Sequence, residues 1–190
     1  MSLGRNTLLW ASRNEWLKNH VPKMKFVQRA VKRFMPGEKV EDVLLASKQL
    51  LSRNIPTTLT HLGENITTIG EAEENTHHYL VLLDKIKAEN LDIEISLKLT
   101  QVGFDLSFEK TLENLSTIAE KANLLNNYVF IDIEDSSYVN RTISLYKRIK
   151  ENFDNIGLCL QAYLYRTMED IKSMERINPS IRLVKGAYKE

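Results

Sequence analysis

The chain has 190 residues, 43% of them apolar, enough for one substantial core and close to the usual size of a single domain. Seven glycines and four prolines are few for a β-sandwich, and the abundance of Leu, Lys, Glu and Asn predicts long helices. One cysteine, Cys159, excludes an intramolecular disulfide, and no apolar run approaches the ~20 residues of a membrane-spanning helix. The start lacks the apolar block of a secretory signal, so the chain reads as soluble, unexported and at home in a reducing, cytoplasmic compartment.

The net charge of +1 conceals an asymmetry, since Met1–Met35 carries eight Lys or Arg against one acid. Trp10, Trp16, Met24, Phe26, Val27, Ala30, Val31 and Phe34 lie among these cations at roughly helical spacing. Two readings of this basic arm, residues 1–38, follow: its apolar face packs over the domain with the lysines in water, or it lies on an anionic membrane surface. Pro36-Gly37 then interrupts the pattern, and Glu38–Arg53 resumes it with Val40, Val43, Leu44 and Leu50 on one face.

Beyond Arg53 the period changes. Strands are predicted at Ile55–Leu62, Asp92–Thr100, Tyr128–Glu134, Ile156–Tyr163 and Ile181–Tyr188, separated by helices over Thr68–Glu89, Ser107–Asn126 and Ser136–Asn152. A fourth helix is predicted to start at Thr167, where Asp170 three residues on resembles a capping arrangement. Strand and helix alternating over short connections specify a parallel α/β sheet. An open doubly wound nucleotide binder should carry a glycine-rich turn after its first strand, yet His61-Leu62-Gly63-Glu64 has one glycine. In Ile93-Glu94-Ile95-Ser96-Leu97-Lys98 every second residue is polar, as expected of a (β/α)8-type barrel whose strands have one oily and one polar face. The polar residues nearest the strands' C-terminal ends, Lys98, Asp132, Gln161, Arg182 and Tyr188, then converge on the barrel mouth.

Taken singly, each has a plain structural reading: a solvated lysine, a helix-capping acid, an amide satisfying backbone, a packed aromatic. Cys159, in an apolar run, reads as a small buried hydrophobe. His77 and His78 are adjacent on a helix and point apart, and His20 and His61 have no His or Cys at ligand spacing, so no metal site is expected. No phosphate loop, serine elbow or Cys-His pair occurs, and no nucleic-acid partner is expected. The joint placement of a cation, an acid, an amide and two further cations on four successive strands points instead to an anionic or zwitterionic ligand, a cofactor, or both.

The stretches Ser96-Leu97-Lys98-Leu99, Ile131-Asp132-Ile133-Glu134-Asp135, Leu160-Gln161-Ala162-Tyr163 and Arg182-Leu183-Val184-Lys185-Gly186-Ala187-Tyr188, in that order, resemble the successive strand motifs of the proline dehydrogenase family. The likeness also takes in Leu62-Gly63-Glu64 and runs from about Val40 to the end. It implies a distorted eight-unit barrel holding FAD that oxidises L-proline, or a hydroxylated proline, to the pyrroline carboxylate and passes electrons to a quinone or other acceptor. Carried over by motif, Lys98 contacts the substrate carboxylate and Tyr188 lies beside the proline pocket. Asp132 and Arg182 occupy the reaction centre, and Ile133, Gln161, Lys185, Gly186 and Ala187 line the flavin. Peripheral contact with the inner membrane face through the arm belongs to the same expectation.

The chain stops after the fifth strand, so residues 39–190 are expected to be the first five units of an incomplete barrel, inactive alone and prone to self-associate through open sheet edges. Two other readings stand beside it. One is a non-enzymatic flavin- or partner-binding module; the other is an unrelated aldolase-like barrel using Lys98 as a Schiff-base lysine, against which the remaining motifs argue.

Overall fold

A computed structural model describes residues 14, 17, 20–24, 26, 27, 29, 35–37, 39–63 and 66–186. The chain divides into two compact units, Met1–Ala46 and Ser47–Glu190. In the first, Val21–Lys23 forms a 3-10 turn, and Met24 and Phe26 are exposed; Trp10, Trp16, Ala30, Val31 and Phe34 of the basic arm lie outside the described residues. Helix α1 spans Val40–Leu51.

The second unit is built on five parallel strands, β1 (Thr57–Thr60), β2 (Ile93–Lys98), β3 (Val129–Asp132), β4 (Ile156–Gln161) and β5 (Ser180–Val184), paired in sequence order. Helices α2 (Ile69–Ala88), α3 (Phe108–Leu124), α4 (Val139–Lys150) and α5 (Thr167–Met174) connect them. The predicted alternation is therefore present with shorter strands. Thr100, expected at the end of β2, instead belongs to a 3-10 turn at Leu99–Val102, closed by Gly103 at φ +112°.

Local chemistry sets the helix ends. Thr68 starts α2 with a reciprocal cap: its hydroxyl accepts from Glu71 N at 3.2 Å while the Glu71 carboxylate accepts from Thr68 N at 3.0 Å. Ser107 caps α3 through Lys110 N at 3.2 Å. Asn54, Asn90, Asn126 and Asn178 all adopt the left-handed conformation just before β1, β2, β3 and β5. Asparagine tolerates that region better than other side-chain-bearing residues, so the same device turns the chain from helix to strand four times. The start of α5 departs from the expected cap. Arg166 is the capping residue and makes no side-chain cap. The Thr167 hydroxyl donates to Gln161 O at 2.6 Å, and Asp170 accepts from Arg166 Nε at 2.8 Å, so both expected partners are spent on tertiary and ion-pair contacts.

Register divides the sheet into two faces. Ile95, Leu97, Val129, Ile131, Leu158 and Leu160 are buried in one apolar layer that also holds Leu83, Ile86, Leu115, Ile118 and Leu145 from the helices. The other face carries Thr60, Ser96, Phe130, Gly157 and Ser180 in one row, and above it Lys98, Asp132, Cys159 and Arg182. This second face is concave. Arg182 on β5 donates to Ser96 Oγ on β2 at 3.0 Å, three strands away, a span of about 14 Å in a flat sheet. Only a sheet bent inward about its polar face brings those side chains together.

Candidate functional site

The concave face gathers its charge at the C-terminal ends of β2 to β5. Lys98 and Asp132 are register partners on β2 and β3, and the Arg182 guanidinium, from β5, pairs with the Asp132 carboxylate through Nη2. The same Nη2 meets Ser96 Oγ, and Arg182 Cζ lies 4.9 Å from the centroid of the Phe130 ring. Asp132 and Arg182 stay partly open, at 22% and 31% side-chain exposure, so a ligand on the concave face can reach them. Burial opposes the Arg182 charge, but Cys159 and Asp132 outweigh it and hold its pKa above the ordinary value.

Cys159 is Arg182's register partner and is buried. Burial pushes its thiol pKa up despite the neighbouring guanidinium, leaving an inert thiol, in keeping with the sequence reading.

Gln161, at the end of β4, is 3% exposed. Its Nε2 donates to Glu134 O at 2.7 Å and Ile133 O at 3.3 Å, stitching β4 to the turn after β3. Its Oε1 is buried with no hydrogen-bond donor among the described residues, an acceptor suited to a ligand N–H or O–H. Ile133 is buried, whereas Lys185 is exposed beyond the end of β5. Gly186 has φ +101°, and a Cβ there would lie 1.9 Å from Tyr163 Cδ1. The group that approaches this glycine closely is thus an aromatic ring of the same chain. Ala187 and Tyr188, expected at the flavin and beside the substrate, lie outside the described residues.

Several residues here carry no role in the sequence reading. Glu134 is 9% exposed, and burial raises its carboxyl pKa while the neighbouring Thr100 and the Lys98 charge oppose the rise. Its signal was a carboxylate inside a strand motif. Gln101, fully buried, donates to His61 O at 2.6 Å and accepts from Lys98 N and Tyr79 Oη, both at 3.0 Å, which ties the ends of β1 and β2 together. His61 also gains a neighbour that spacing did not suggest: its ring centroid is 4.3 Å from that of His78. The pairing arises because α2 folds back along β1, a contact that no local spacing encodes. Burial, then His61 and Lys85, lowers the His78 pKa. No group of three or more His, Cys, Asp or Glu suited to a metal ion occurs among the described residues.

Comparison with known proteins identifies the family and the fold. A family model described as proline dehydrogenase matches residues 43–190. Proline dehydrogenase 1 of Bacillus subtilis subsp. natto is 37% identical over 186 residues, covering 98% of this chain and 61% of that protein. Proline dehydrogenase of Deinococcus radiodurans is 31% identical over 163 residues, covering 83% of this chain and 53% of its own length. The chain thus spans about three fifths of the first of these relatives. Among solved structures, proline utilization A from Bdellovibrio bacteriovorus, inactivated by N-propargylglycine, superposes with a TM-score of 0.76 at 22% identity, over 85% of this chain and 20% of that one. Proline utilization A of Bradyrhizobium japonicum gives 0.64 at 20% identity, over 80% of this chain and 18% of its own. Both share the fold of the five-stranded unit, which is not closed into a barrel here.

Proposed function

The chain belongs to the proline dehydrogenase family, and from that premise we propose that it carries part of the site at which L-proline is oxidised to 1-pyrroline-5-carboxylate with FAD as the first electron acceptor. The observation that carries the reading is the Asp132–Arg182 pair beside Lys98 on the concave face. A zwitterionic substrate and an electron-rich cofactor both call for fixed cations in a partly enclosed space.

In this reading Lys98 receives the substrate carboxylate as a mobile point charge. Asp132 does not act on the substrate directly; it holds the guanidinium of Arg182 in one orientation. Arg182 and Lys185 present positive charge where electron density gathers during the reaction. The chain's residues fit a flavin at Gln161, which leaves one buried acceptor over for a cofactor N–H or O–H, while the resemblance implies that Gly186, packed on the Tyr163 ring, lies at the edge of that lining. Ile133 belongs to the same lining, and the roles that the resemblance implies for Ala187 at the flavin and Tyr188 beside the proline pocket fall outside the described residues. Bound FAD would supply the two-electron acceptance, taking a hydride from the ring carbon next to nitrogen while the proton on that nitrogen would pass to solvent. A quinone or another acceptor then removes the electrons.

Anaerobic addition of L-proline tests the proposal on the FAD-loaded chain alone and on the chain joined to the closing barrel units of a family relative. Loss of the visible flavin absorbance in the completed barrel, with the pyrroline product trapped in equal amount, is the expected result, while the 190-residue chain alone stays unbleached. A completed barrel that binds FAD but is not bleached by proline or hydroxyproline would overturn the proposal and favour a flavin-binding module without the enzymatic step.

A further inference from the structure

We infer that Ser96, Phe130 and Gly157 form a platform that positions Arg182 for its part in the reaction. The inference rests on the role proposed above for Arg182 and adds three residues to the site. All three lie in one row across β2, β3 and β4, below the row that holds Asp132 and Arg182.

Arg182 reaches two strands across to Asp132 and Phe130 and three to Ser96, and a side chain extended that far has many rotamers to lose. Asp132 holds the guanidinium at Nη2, but a single carboxylate leaves its plane free to pivot. Ser96 Oγ, 3.0 Å from the same Nη2, is a second anchor there. The Phe130 ring, 4.9 Å from Cζ, supplies a face for the guanidinium to lie on. The ring is itself held: Tyr128 packs on it at a centroid distance of 5.2 Å. On the β4 side, a Cβ at Gly157 would stand 2.5 Å from Phe130 Cε1. A glycine in the interior of a strand marks close approach by another group, and here that group is the Phe130 ring. The three residues therefore set the tilt and reach of Arg182 without touching substrate.

The test uses the full FAD-loaded protein with Ser96→Ala, Phe130→Leu, Gly157→Ala and, as the conservative variant, Phe130→Tyr. The readouts are kcat and KM for L-proline and the NMR signals of the Arg182 guanidinium, assigned by their loss in Arg182→Lys. Loss of one anchor is expected to lower kcat about fivefold to tenfold at unchanged KM, and to broaden the Arg182 signals through exchange. Phe130→Tyr keeps the ring and should match the parent in both readouts. Arg182 signals that stay sharp in Phe130→Leu and Ser96→Ala would overturn the inference, as would a Phe130→Tyr variant as slow as Phe130→Leu. Ser96→Ala removes one oxygen from a well-packed row and keeps the test decisive if the larger changes prevent folding. The NMR readout needs no turnover: broadened signals in a protein that ignores proline would support the platform while the proposed reaction failed.

Discussion

Arg182 and Ser96 stand 86 residues and three strands apart, yet Nη2 and Oγ are 3.0 Å from each other across the concave face of the sheet. Their meeting measures the curvature of the five-stranded unit. It also places the Asp132–Arg182 pair inside a bowl rather than on a flat surface, where water would screen it and weaken its hold on a ligand.

Because Asp132 orients that guanidinium, Asp132→Ala should lower activity as well as stability. Proline turnover is expected to fall by about two orders of magnitude, with kcat affected more than KM, while thermal unfolding changes by about 1–3 kcal/mol. Asp132→Asn keeps one acceptor and should recover part of the loss. Steady-state kinetics alongside calorimetry would check both; equal losses in Asn and Ala would mean that charge alone matters.

Glu134 predicts a pH dependence. Burial raises its pKa in the folded protein above the ordinary 4.5, so the folded state prefers the protonated acid. Its favourable contribution is complete below pH 4.5 and is lost as pH rises through the folded pKa. Glu134→Gln removes that loss. The melting temperature of the variant minus that of the parent should therefore become more positive from acid to neutral pH, and a difference independent of pH would refute the assignment.

Gln101 holds the ends of β1 and β2 together through His61 O, Lys98 N and Tyr79 Oη. Gln101→Leu strands these buried groups and should destabilise the fold by about 2–4 kcal/mol in urea unfolding. Tyr79→Phe removes one member of the network and should cost about 1 kcal/mol. Tyr79, whose pKa burial pushes up to about 12, remains neutral throughout the accessible range, so neither effect should vary with pH below 10.

Gly186→Ala places a methyl group into the Tyr163 ring at a backbone angle of φ +101°. The substitution should displace the end of β5 and weaken FAD binding about tenfold or more, read by fluorescence titration, with little change in the apolar layer. Retained affinity would separate Gly186 from the flavin lining.

The alternation of strand and helix was legible in the sequence because hydrophobic period is a local property, written within each segment of about ten residues. The polar stripe of β2 and the placement of Lys98, Asp132 and Gln161 at strand ends followed from the same period of two, whereas Arg182 lies in the middle of β5 and not at its end. Caps were legible only where a side chain serves its own helix, as Thr68 does with Glu71; Thr167 and Asp170 have the right types but spend them on Gln161 O and Arg166. Contacts between elements were not legible. The guanidinium of Arg182 on Phe130, the ring of Phe130 against Gly157 and the tilted contact of His61 with His78 depend on how far each strand turns relative to the last. That turn accumulates across five strands from the packing of a whole apolar layer, so tertiary structure alone decided which of the residues made available by the sequence would touch.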